Sequence, residues 1–201
     1  MKKLLIIIPL LFVLKNLQAQ KYSIEGRFMN GVHWFSYEQI FPKNHFQING
    51  GIYLKKVMNN TWGLTTGIQS RILNRKEEYD VYFYGHYAYS YTTQTRFDYI
   101  EIPINSYFKW RGLHIEGGTN INYLMKYQFR IDDELDTSEK PEGMTFMLGL
   151  NTNIGYQFDL NEKIYLILSA YYDYPILLSN PFETSLMNYG IYMGIGYEFS
   201  N

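Results

Sequence analysis

The 201-residue chain contains no cysteine. That excludes a disulfide framework and a thiolate metal centre, and it also excludes a lipoprotein, whose processing needs a cysteine at the cut. Long apolar runs are nearly as scarce. After the stretch 4–14, no segment approaches the roughly 20 apolar residues that a spanning helix requires. The four histidines, His33, His45, His86 and His114, are scattered without metal-ligand spacing, and no G-x-S-x-G element occurs. No catalytic site, metal or cofactor is therefore expected.

An excess of positive charge is missing too. Lys2 and Lys3, the apolar run 4–14 and the segment Leu17-Gln18-Ala19-Gln20 read as an export signal of the Sec route, cleaved after Ala19. This assigns 1–19 to a signal peptide and 20–201 to a single domain. The signal takes three of the 18 basic residues and none of the 19 acidic ones, leaving 15 against 19, a net charge of −4. Such a balance argues against nucleic acid as a partner.

What the chain has is aromatic side chains, 18% of the total with 21 tyrosines, and period-2 alternation. Its mean hydropathy of −0.27 would suit a soluble protein. In a transmembrane β-barrel, however, only alternate residues meet lipid, so a window average stays near neutral while the alternation carries the information. Tyrosine in excess suits the aromatic girdles found at both membrane interfaces.

The alternation is clearest at the C-terminus. Met187, Tyr189, Ile191, Met193, Ile195, Tyr197 and Phe199 share one face, and Asn188, Gly190, Tyr192, Gly194, Gly196 and Glu198 the other. Seven outward apolar residues exceed what a usual strand of roughly 5–6 residues can hold, and suit a tilted membrane strand. The pattern recurs near 113–127, 144–158 and 163–174, and more noisily near 22–34, 46–57, 61–73 and 96–109. These eight segments predict an all-β, antiparallel up-and-down transmembrane barrel of about eight strands. Short connections at 58–60, 110–112 and 159–162, rich in Asn, Gly and Asp, alternate with long ones near 35–45, 74–95, 128–143 and 175–186. Bacterial outer-membrane barrels keep this phase, with tight periplasmic turns and long outer loops. Strand 1 must pair with strand 8, because hydrocarbon tolerates no free sheet edge. Phe199 suits the terminal aromatic signal read by barrel-assembly machinery.

The charged residues then point inward: Glu25, Arg27, Lys55, Arg71, Glu101, Lys109, Glu116, Lys126, Asp173 and Glu198. Eight strands leave an interior just wide enough for side chains, so these mixed signs suggest a polar network bracing the lumen, with a narrow solute path as the alternative. The segment 74–95 places Tyr82, Tyr84, His86, Tyr87 and Tyr89 on an outer loop that looks like a hairpin extending the wall, a candidate contact surface. The bland reading is cross-strand tyrosine pairing. Asp132, Asp133, Glu134 and Asp136 lack the Gly and terminal Glu of an EF-hand loop and read as a solvated acidic run. His33, Asp80, His86 and Ser90 are the residues from which a lipid-modifying rim site would be assembled.

Tyr99-Ile100-Glu101-Ile102-Pro103, then Tyr107-Phe108-Lys109, Ile115-Glu116-Gly117-Gly118 and Asn122-Tyr123-Leu124 resemble the porin-like outer-membrane β-barrel domain family, which includes PorT-like proteins. The resemblance implies a small outer-membrane barrel, and for PorT-like members an accessory role in type IX protein secretion. Within the barrel, Glu101 and Pro103 share the inward face, where a missing ladder bond is tolerable. The expectation is a non-enzymatic barrel of the Gram-negative outer membrane with a structural, adhesive or accessory role. Its expected partners are outer-membrane lipid and lipopolysaccharide, the assembly machinery and secretion proteins.

Overall fold

The structure, a computed structural model, describes residues 21–35, 45–58, 61–84, 86–132, 134–137, 146–178 and 186–199. The expected signal segment 1–19 lies outside them. Nine strands form among the described residues: β1 (Lys21–Phe35), β2 (His45–Val57), β3 (Trp62–Phe83), β4 (His86–Trp110), β5 (Leu113–Ile131), β6 (Glu134–Thr137), β7 (Phe146–Asp159), β8 (Ile164–Leu178) and β9 (Leu186–Phe199). Eight of them make a ring in the order β1-β2-β3-β4-β5-β7-β8-β9, every pairing antiparallel. The ring closes because β1 pairs with β9 from Tyr22↔Phe199 to Phe35↔Leu186. The short β6 only extends the end of β5. No helix of the described residues is long and apolar enough to cross a membrane.

Alternation along each strand turns apolar residues out and polar ones in, the reverse of a water-soluble core. On β9, Ile191 and Met193 are 58% and 60% exposed while Tyr192 between them is 0%. Trp62 packs on Phe108 with ring centroids 5.0 Å apart, Tyr156 on Phe158 at 4.8 Å and Tyr197 on Phe199 at 5.2 Å, forming a girdle at the short-turn end. This is the transmembrane barrel expected from the alternation.

The turns at that end follow from their residues. Arg111 and Gly112 have φ of 49° and 87°, the two positive values of a type I′ hairpin, whose twist matches that of the flanking strands. In the turn before β8, Asn161 Oδ1 accepts the Lys163 and Ile164 N–H groups, both at 2.8 Å. Pro103 has no N–H to give to the wall. The β3–β4 ladder skips from Thr66↔Ile104 to Gln69↔Glu101, and Thr66 Oγ1 donates to the Pro103 carbonyl at 2.9 Å.

Strands 3 and 4 run well past the boundaries expected from the alternation. They pair almost to the tip, through Phe83↔His86, so 74–95 is a β-hairpin that continues the wall by about 30 Å. A second difference lies on β5. The pairing Asp98↔Lys126 is followed by Tyr99↔Leu124, which leaves Met125 as an extra residue, a bulge that reverses the alternation beyond it. Lys126, expected in the lumen, is exposed on the outer surface for this reason.

Candidate functional site

Within the lumen, two groups of buried ions tie opposite walls together. Arg27 on β1 lies four strands around the eight-strand ring from Glu116 on β5, so the contact between them spans the barrel. Its Nη1 and Nη2 donate to the two Glu116 oxygens at 2.7 and 2.6 Å, and its Nε and Nη2 to Glu25 Oε2 at 2.8 and 2.5 Å. The guanidinium also faces the rings of Tyr53 and Tyr192, 4.1 and 4.9 Å from their centroids. Lys55 pairs with the other Glu25 oxygen. Tyr165 Oη donates to that same oxygen at 2.6 Å, with Ser23 Oγ 2.7 Å away. Thr65, Asn153 and His114 complete the shell around Glu116. Two cations thus offset two carboxylates, as burial in this setting demands.

Nearer the long-loop end, Arg71 on β3 pairs with Glu101 on β4 at 2.6 Å and with Asp173 on β8, again four strands away. Above it, Leu73, Phe97, Tyr99 and Leu124, with Tyr127 against them, form an apolar layer across the mouth. The void between the two ion groups is ≈ 10 Å³, about the space of one water.

Of the charges expected inside, Glu25, Arg27, Arg71, Glu101 and Glu116 come together here with Lys55 and Asp173. Lys109 does not. It stands at the short-turn rim, 3.1 Å from both Asp159 oxygens. Glu198 is half-buried at the same rim. Sequence reasoning put Tyr192 on the inward face of the last strand but missed the other lumen tyrosines. The girdle takes part of the excess, but Tyr53, Tyr99, Tyr107, Tyr165, Tyr171 and Tyr192 fill the lumen. Their parity carried the signal, since Tyr53 shares a face with Lys55 and Tyr171 with Asp173. Gly63 and Gly196 make room for two of these rings: a Cβ would lie 2.2 Å from Tyr107 Cε1 at Gly63 and from Tyr165 Cζ at Gly196.

The hairpin presents the other candidate surface. Tyr82, Tyr84, His86, Tyr87 and Tyr89 are all exposed. Cross-strand pairs organise them: Tyr79 stacks on Tyr91 at 5.3 Å and Tyr82 meets Tyr87 edge-on at 6.0 Å. Tyr79 Oη donates to Glu77 Oε2 at 2.5 Å, and this bond pushes the Tyr79 phenol up to about 12. Asp80 stands opposite Ser90, with His86 at the tip, whereas His33 lies on β1, two strands away from β3. In the acidic run, Asp132 Oδ1 accepts the Thr92 N–H at 2.7 Å, closing the end of β5 onto β4. Asp133 and the Asp136 side chain lie outside the described ones. Among the described residues no group of three His, Asp or Glu could hold a metal.

By sequence, no family profile and no curated protein matches the chain. By structure it shares the fold of small outer-membrane barrels. Neisserial surface protein A aligns over 89% of this chain and 97% of its own, with 12% identity and a TM-score of 0.52. The attachment invasion locus protein Ail of Yersinia pestis, solved in complex with the heparin analogue sucrose octasulfate, aligns over 90% of this chain and 99% of its own, with 17% identity and a TM-score of 0.51. The chain is thus an eight-stranded outer-membrane-type β-barrel, the fold implied by the porin-like resemblance.

Proposed function

We propose that the chain is exported by the Sec route and resides in a Gram-negative outer membrane. There it is a closed, non-enzymatic barrel that works through its outer end, in a structural, adhesive or accessory role. The observation that carries this reading is the contrast between a lumen filled by ion pairs and tyrosines and a hairpin that holds exposed aromatic rings well beyond the apolar band. Short turns then face the periplasm and the hairpin faces outward. Such rings suit stacking on a sugar or a partner protein. The Ail complex supports the reading from outside, because it is a barrel of this fold with a bound polyanionic saccharide analogue.

Two measurements on the detergent-folded chain test the proposal. A gel shift on boiling with no conductance in planar bilayers is the expected result. Absence of the shift sinks the membrane-barrel reading, and discrete conductance steps turn the lumen ions from braces into a path. The type IX accessory role draws on the β4–β5 motif alone. It predicts that secretion components co-purify with the tagged protein from native membranes.

A further inference from the structure

The residues displaced by the β5 bulge lead to a site on the outer wall. On β3, β4 and β5 the outward apolar columns end within one row of one another, with Ile72, Ile100 and Met125. From the Ile72 level upward the strand register sets out three rows: Ile72–Asp98–Lys126, Asn74–Arg96–Gln128 and Lys76–Gln94–Arg130. Residues within a row have Cβ atoms about 5 Å apart. Lys76, Arg96, Lys126 and Arg130 are all exposed. The upper two rows line one cleft of ≈ 480 Å³ together with Arg75, Thr95 and, on its β2 flank, Phe46. Three acids share this face: Asp98, which takes Arg96 Nε at 2.7 Å, and, one row higher, Glu78 and Asp132, the latter holding the Thr92 N–H. Arg75 is paired with Glu77. Among the described residues Lys76 and Arg130 enter no ion pair, so the cleft keeps a surplus of positive charge.

We propose that this cleft binds the phosphate groups of an anionic glycolipid of the surrounding leaflet. The inference rests on outer-membrane residence with the hairpin end outward. Three observations support it. The cations begin where the lipid-facing apolar columns stop, which is headgroup level. Arginine and lysine from three adjacent strands converge as a phosphate monoester requires, with forked donors from Arg130 and a point charge from Lys76. Phe46 continues the cleft with an apolar edge suited to the first carbons of an acyl chain. The bulge is what assembles the site, since without it Lys126 would point into the lumen.

The test is binding of bisphosphorylated lipid A and of its dephosphorylated form to the detergent-folded full chain, by calorimetry. The comparison includes a K76Q/R96Q/R130Q variant and its charge-retaining counterpart K76R/R96K/R130K. The gel shift on boiling establishes that each variant is folded. We expect the phosphorylated lipid to bind more tightly, the glutamine variant to lose at least about tenfold in affinity and the charge-retaining variant to recover most of it. Equal binding of the two lipids overturns the proposal, as does undiminished binding by the glutamine variant. Inorganic phosphate or sucrose octasulfate binding as tightly as the lipid also overturns it, in favour of a soluble anion. A folded barrel that fails these assays loses only this site, whereas loss of the gel shift in the unaltered chain removes the membrane reading itself.

Discussion

In the lumen, Arg27 reaches across the barrel to Glu116, whereas in the hairpin Arg75 pairs with Glu77 only two residues along its own strand. The residue types are the same and the strands are continuous, yet the solvent differs. Inside, a charge has no water to turn to and must find partners wherever the ring places them, so beside the local Arg27–Glu25 pair the lumen holds two long-range ones, Arg27–Glu116 and Arg71–Asp173, that join opposite walls. In the hairpin both faces are wet, and Arg75–Glu77 and Tyr79–Glu77 are local contacts of separation two, as is Arg96–Asp98 just below it. Local pairs of this kind contribute little to stability. The barrel is therefore held by contacts remote in sequence, and the hairpin by its ladder and its tyrosine stacks.

Breaking the long-range tie should give the largest effect. Arg27→Ala strands Glu116 in the lumen, leaves Glu25 to Lys55 alone among the cations, and is expected to cost about 3–5 kcal/mol, read as a lower urea midpoint of the gel-shifted band. The same midpoint unchanged would mean that the cross-barrel pair is not what holds the walls. Next comes the apolar layer at the mouth, where Leu124→Ala removes a fully buried side chain at an expected cost of about 2–5 kcal/mol. Gly196→Ala drives a methyl group into the Tyr165 ring and should cost about 1–3 kcal/mol in the same assay.

The smallest effects belong to the hairpin and sharpen the contrast. Glu77→Gln should leave the urea midpoint within roughly 0.5 kcal/mol of the parent, as surface changes do. It should nevertheless move one phenol. The Tyr79 pKa is raised above its unfolded value near 10 because the neutral hydroxyl donates to Glu77. Its contribution is therefore full below pH 10 and is lost as pH rises through about 12. Ultraviolet difference titration of the parent against Tyr79→Phe should show this phenol titrating at about 12, and Glu77→Gln should bring it back toward 10.

Much of the barrel was legible because hydrocarbon makes the period-2 rule strict. Each of β7, β8 and β9 carries one apolar face, and the short connections fall at every second junction. Glu25, Arg27, Arg71, Glu101 and Glu116 were legible as inward by the same parity. Apart from Tyr192, the lumen tyrosines were misread because an amphipathic ring suits a girdle and a lumen equally, and only their parity separates the two. Lys126 was misread because a bulge is a single extra residue with no composition of its own. The extended hairpin was visible as a tyrosine-rich segment, while its full pairing depended on a register that side-chain chemistry alone does not reveal.

By itself the sequence determined that the chain forms strands with one face for lipid and one for a polar interior, since alternation is a local property of the backbone pleat. It also determined which turns are tight, through Arg111-Gly112 and the 159–162 segment. Only the tertiary structure decided which charges meet. Arg27 and Glu116 are 89 residues apart, and Arg71 and Asp173 are 102, distances that no local pattern encodes. Ring closure places β1 opposite β5 and β3 opposite β8. The Met125 bulge then decides which cations stay inside and which join the outer wall.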